Sequence, residues 1–183
     1  MSSFPIARVR QICVGPLRLS SARAVVAALG VMFALAACSD ATAPLATEGT
    51  PDELTFSIGG FGVGTSNMVL RGDTIVLQRI PWDWPRVPMD SVRVVPSSEA
   101  WRVFWAATER AGVSRWQRHY AAAGFVDGTG WDVHIVVGGR VVESSGSNAY
   151  PDGLGHEHQL QTTDDFQAFV VALGDLAGRP LGF

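Results

Sequence analysis

Residues 131–143 read WDVHIVVGGRVVE, and this stretch decides the fold. Trp131, Val133, Ile135 and Val137 alternate with Asp132, His134 and Val136, the period-two pattern of a half-buried strand. Gly138-Gly139 is a two-residue loop that tolerates positive φ at both positions, as the tight turn of an antiparallel hairpin requires. Such a loop sets the register, with Val137 opposite Arg140, Ile135 opposite Val142 and His134 opposite Glu143. His134 and Glu143 could form an acid–base dyad. No nucleophile lies near them in sequence, so the expectation is an ordinary cross-strand pair contributing ~0.2–1 kcal/mol.

Upstream, Leu54 to Ile58 alternates in the same way, and Ser66 to Leu70, Thr74 to Arg79 and Ser91 to Val95 are further β-rich runs. Between the first two lies Gly59-Gly60-Phe61-Gly62-Val63-Gly64. A phosphate-binding loop would need a helix to follow it. A strand follows instead, so a wide hairpin loop is expected. Arg71-Gly72-Asp73 reads as a tight turn and not as an adhesion motif.

Pro96-Ser97-Ser98-Glu99 starts a helix capped by Ser97, with Trp101, Phe104, Trp105 and Thr108 on one face and Gly112 as its stop. Ser114 is expected to cap a second, shorter helix presenting Val113, Trp116, Tyr120 and Ala123 and ending at Gly124. The last helix opens at Thr162 or Thr163, carries Asp164 and Asp165 in its first turn and buries Phe166, Phe169, Val170, Leu173 and Leu176. Strands and helices are segregated along the chain. The expected fold is therefore α+β: a mostly antiparallel sheet of about five or six strands with about three helices packed mainly on one face.

Two stretches could carry function. Residues 80–88, IPWDWPRVP, hold three prolines, which forbid a helix. Trp82 and Trp84, two apart, can project together to stack on a sugar or peptide, or fold back to cover the sheet. The long connection 146–161, GSNAYPDGLGHEHQLQ, is expected to be irregular, and connections of that length are often functional. Asn148 and Tyr150 either line a ligand groove or serve the architecture, Asn148 by bonding nearby backbone and Tyr150 by plugging the core edge. His156 and His158 share a face in an extended segment and could ligate zinc. A third ligand is not identifiable, although Asp152, His119 or His134 could serve. No resident metal or cofactor is therefore expected.

Asp127-Gly128-Thr129-Gly130-Trp131, then the hairpin, then Gly146-Ser147-Asn148-Ala149-Tyr150-Pro151 and a helix with spaced Phe residues resemble a pattern of small bacterial proteins, some of them lipoproteins. The resemblance covers about the C-terminal third of the chain and implies no particular activity. His156-Glu157-His158 stands outside the pattern.

The N-terminus supplies an address. Arg8, Arg10, Arg18 and Arg23 precede the uncharged run Ala24 to Ala37, and no acidic residue occurs before Asp40. That is an export signal, too short for the roughly 20 residues of a spanning helix. Leu35-Ala36-Ala37-Cys38 resembles the lipobox of bacterial lipoproteins. The resemblance implies cleavage before Cys38, diacylglycerol on its thiol and acylation of its amino group. Two or more chains anchor a protein stably where one is marginal. The alternatives are ordinary cleavage after Ala36 or an uncleaved anchor.

The expected organisation is a signal peptide over 1–37, lipidated Cys38 with a flexible tether to residue 51, and one globular domain over 52–183. Cys13 leaves with the signal, so the mature chain holds no second thiol for an internal disulfide. Four of the 14 basic residues, all Arg, lie before Cys38 and all 17 acidic residues after it; ten against 17 leaves a net charge of −7 with His neutral. An acidic domain is a poor partner for nucleic acid.

The expected partner is the membrane, through Cys38, with an envelope protein, peptide or glycan as further possibilities. The protein would be exported and face the periplasm or cell exterior. Ser39 after the Cys lacks the inner-membrane retention signal of enteric bacteria. Two function classes follow: a non-enzymatic, lipid-anchored binding or envelope-interaction module, or a small metal-assisted envelope hydrolase using His156 and His158.

Overall fold

In the computed structural model, the structure describes residues 44–83, 87–125 and 127–181. The stretch expected to be an export signal, Cys38 and Trp84 lie outside the described residues.

The chain forms β1 (Glu53–Gly60), β2 (Gly64–Arg71), β3 (Thr74–Ile80), β4 (Asp90–Val94), helix α1 (Ser98–Arg110), β5 (His119–Ala121), β6 (Thr129–Val137), β7 (Arg140–Ser147), β8 (Ala149–Pro151), β9 (Glu157–Gln159) and helix α2 (Asp164–Leu176). Seven strands make one sheet in the order β4-β3-β2-β1-β6-β7-β5, and β8 and β9 form a separate two-stranded ribbon. Every pairing in the large sheet is antiparallel except that of β5 with β7. The fold is α+β with a large, mostly antiparallel sheet.

The β6–β7 hairpin holds the expected register, His134 opposite Glu143 and Ile135 opposite Val142. Gly138 and Gly139 take φ of 56° and 77°. The expected pairing of the two side chains is replaced by other partners. His134 Nε2 lies 3.3 Å from Glu53 on the neighbouring strand, and Glu143 meets Arg118 at 3.3 Å.

Among the described residues the count differs from expectation, with two α-helices in place of about three and seven strands in the main sheet in place of five or six. The expected helix from Ser114 to Gly124 is a single 3-10 turn over Val113–Arg115 followed by β5. Val113, Trp116 and Tyr120 are buried as the helical spacing requires, but Ala122 is buried and Ala123 exposed. Tyr120 and Ala122 therefore follow the period of a strand. The backbone of β5 is satisfied by β7, with His119 paired to Ser145 and Tyr120 to Gly146. A parallel partner so distant in sequence leaves no local signature.

Ser97 caps α1 by accepting from Ala100 N–H, and Thr163 caps α2 by accepting from Phe166 N–H. Both helices bury their aromatic stripe against one sheet face, where Leu54, Phe56, Ile58, Met68, Trp131, Val133 and Ile135 alternate inward to make a single core. Phe169 is its hub. Fully buried, it meets Phe56 edge-on at 5.9 Å, Phe104 at 6.2 Å and Trp116 at 5.1 Å. The opposite face carries Thr55, Ser57, Thr65, Asn67, Gln78 and His134, all partly exposed.

Packing begins before residue 52. Leu45 and Ala46 lie against the core, Trp105 Nε1 donates to Gly49 O at 2.7 Å, and Arg140 donates to Pro44 O at 2.6 Å. Residues 44–51, expected in the tether, thus belong to the domain, because α1 offers an indole donor that needs an acceptor.

Phe169→Ala should cost about 3–5 kcal/mol, the usual range for removing a fully buried aromatic ring. Urea unfolding with the slope unchanged checks it.

Candidate functional site

Glycine-rich turns let backbones approach where side chains would collide. A Cβ on Gly60 would sit 2.2 Å from Gly128 O, so the β1–β2 turn and the Asp127-Gly128 turn can meet only without one. Phe61 N–H donates to Gly128 O at 3.3 Å across this junction. Beside it the β3–β4 connection brings Pro81 and Trp82 over the end of the sheet. Trp82 packs on Phe61 with ring centroids 4.5 Å apart and planes at 56°.

The result is an open cleft of about 550 Å³ floored by Gly59, Gly60 and Gly64 and walled by Phe61, Ile80, Trp82, Thr65, Asn67 and Asp127. Phe61 remains 64% exposed and Trp82 40% exposed, so the aromatic wall is presented to solvent as well as covering the sheet end.

Asn148 holds the far wall in place. It adopts φ 51°, a left-handed conformation that Asn tolerates better than most residues. Its Nδ2 donates to Asp127 O at 2.9 Å and its Oδ1 accepts from Thr129 N–H at 2.9 Å. Its backbone N–H donates to Thr129 O at 2.9 Å and its carbonyl accepts from Leu160 N–H at 2.7 Å. Trp131 Nε1 donates to Ala149 O at 2.9 Å, an approach that a Cβ on Gly146 would block, 2.3 Å from that nitrogen. Tyr150, 5% exposed, packs on Phe166 at 5.1 Å. The two halves of the sequence pattern are thus one interlocked unit. Asn148 and Tyr150 serve the architecture, and both polar atoms of the Asn148 amide are engaged with backbone.

The 146–161 connection, expected to be irregular, is ordered by such bonds and carries the β8–β9 ribbon. Arg115 Nε and Nη2 donate to Gly153 O at 2.8 and 2.5 Å, Tyr120 donates to Gly155 O at 3.0 Å, and Asp165 accepts from Gly153 N–H at 2.7 Å. His156 Nδ1 and His158 Nε2 approach the same oxygen of Asp152, at 3.1 and 3.2 Å, while its other oxygen accepts from Leu154 and His156 N–H. Loss of water raises the Asp152 carboxyl, but the His156 N–H, the His158 ring, the Leu154 N–H and the His156 ring outweigh that and hold it well below the ordinary value. Among the described residues no group of three His, Cys, Asp or Glu is arranged to hold a metal ion. His119 and His134, the other conceivable ligands, turn to Ser145 and Glu53.

One polar pair had no signal in sequence. Parallel pairing of β5 with β7 puts His119 Nδ1 3.1 Å from Ser145 Oγ. A nucleophilic serine must give its proton to the imidazole. Here the single hydroxyl proton has a second acceptor in Arg118 O at 3.3 Å, and the Ser145 N–H is committed to the same carbonyl at 3.1 Å, so that amide is not free to face a developing oxyanion.

No protein-family model matches the chain, and no curated protein or solved structure matches it significantly.

Asn148→Ala should destabilise by about 2–4 kcal/mol, the sum of orphaned backbone groups and left-handed strain. Asn148→Gly relieves the strain and should recover about 1 kcal/mol in the same denaturation experiment. For Asp152, a carboxyl depressed on folding adds stability that is fully present above the unfolded value near 4 and is lost as pH falls below it. The advantage of wild type over Asp152→Asn should accordingly shrink between about pH 4 and pH 2, read from unfolding midpoints across that range.

Proposed function

We propose that this protein is a lipid-anchored cell-envelope binding module: residues 1–37 export it, Cys38 carries the lipid, and the cleft beside Trp82 takes the ligand. The observation that supports a binding role most directly is the solvent-facing aromatic wall set over a glycine floor, held open by backbone bonds to Asn148.

The orientation of the domain supports it too. Pro44 and Asp52 are tied to the β6–β7 turn, through Arg140 and through Gly138 N–H donating to Asp52 at 3.0 Å. β1 then runs eight residues from Glu53 to Gly60, roughly 26 Å at strand rise, before reaching the cleft. A domain whose chain enters at one end of the sheet would present the cleft at the other, away from the bilayer. Among the described residues no helix is long and apolar enough to cross a membrane; in this reading attachment is through Cys38.

Cells expressing the full chain should incorporate radioactive palmitate into it, and Cys38→Ser should abolish the label and release the protein from the membrane fraction. Label that survives in Cys38→Ser would refute the anchor.

A further inference from the structure

We propose that the Trp82 cleft binds a neutral saccharide chain, stacking a sugar ring on the Trp82–Phe61 wall and reading its hydroxyls with Asn67, Thr65 and Asp127. The inference deepens the binding-module reading and rests on it.

Charge narrows the ligand first. Among the described residues, Asp127 is the only ionisable one lining the cleft, and its negative charge disfavours a phosphate or nucleic-acid chain there. Shape narrows it further. Two ring planes at 56° make an angled apolar wall. A pyranose presents a flat C–H face ringed by hydroxyls, each both donor and acceptor. The Asn67 amide and the Thr65 hydroxyl offer both functions, and the Asp127 carboxylate accepts.

Position then separates a sugar from a peptide. A peptide that binds as an added strand gains most of its affinity from a free sheet edge. The cleft lies over β1, β2 and β3, where Gly59 is paired to Thr65 and Thr65 to Ile80, well inside the sheet. Those backbone groups are committed to the ladder. Recognition must come from side chains standing on the face.

The test uses the full chain in detergent, titrated by tryptophan fluorescence and calorimetry with neutral oligosaccharides of glucose, mannose and N-acetylglucosamine, and with a pool of unstructured peptides. At least one oligosaccharide should bind saturably. Trp82→Ala should weaken it about tenfold or more, Asn67→Ala should weaken it several-fold, and Trp82→Phe should restore part of the affinity. Val141→Ala, exposed on β7 away from the cleft, should leave affinity unchanged. If Trp82→Ala alters the melting temperature, Asn67→Ala and Trp82→Phe decide.

Failure of every oligosaccharide to bind overturns the inference, as does binding unmoved by the Trp82 and Asn67 variants. Peptide binding that depends on Trp82 without sugar binding overturns the saccharide class and keeps the binding module. Sugar binding in a chain that takes no lipid on Cys38 keeps this inference and removes the anchor.

Discussion

The structure depends on one asparagine. Asn148 sits where β7 ends and the chain must cross to β8, and its left-handed backbone makes that corner. Its amide closes the Asp127–Thr129 turn from 19 and 21 residues away, and its carbonyl receives the end of β9. Three separate stretches are thereby fixed to one residue. Trp131, held through its indole to the next carbonyl, carries the same constraint into the core, where it packs on Trp116, Tyr120 and Phe166. Buried polar groups that are fully paired in this way specify one arrangement, because any shift leaves several unsatisfied at once.

The corner also connects scaffold to function. The turn that Asn148 closes is the one whose Gly128 carbonyl receives the Phe61 N–H, so the far wall of the cleft is held through the core side of the fold. A site whose wall is set before a ligand arrives loses less ordering entropy on binding. The helix-covered face takes the aromatic core, and Thr65 and Asn67 stand partly exposed on the other, at the cleft.

Local signals carried much of this into the sequence. The two-residue Gly138-Gly139 loop made the β6–β7 register legible, and Ser97 and Thr163 marked the helix starts because capping is a short-range bond. The glycine run of residues 59–64 was legible as a hairpin because a strand follows it. What stayed hidden is non-local. Val113, Trp116 and Tyr120 satisfy a helical period and a strand equally well, and only the distant partner β7 decides for the strand. The bonds from Arg115, Tyr120 and Asp165 that order the 146–161 connection come from elements across the fold. Trp82 stood out in sequence as an aromatic near prolines, yet nothing local joins it to Asn67 and Asp127. Packing of Leu45 and Ala46 was equally hidden, because a small, polar, Pro-containing run reads as a linker until a surface is there to receive it.

Two sets of residues divide the work, one that builds the corner around Asn148 and one that meets the ligand around Trp82. Hydrogen–deuterium exchange of the full chain in detergent, with and without a saturating neutral oligosaccharide, tests that separation. The account predicts slowed exchange confined to backbone amides of residues 59–67, 80–83 and 127–129, with 152–160 unchanged. Protection centred on the Asp152–His158 ribbon, with residues 59–67 and 80–83 unaffected, would contradict it.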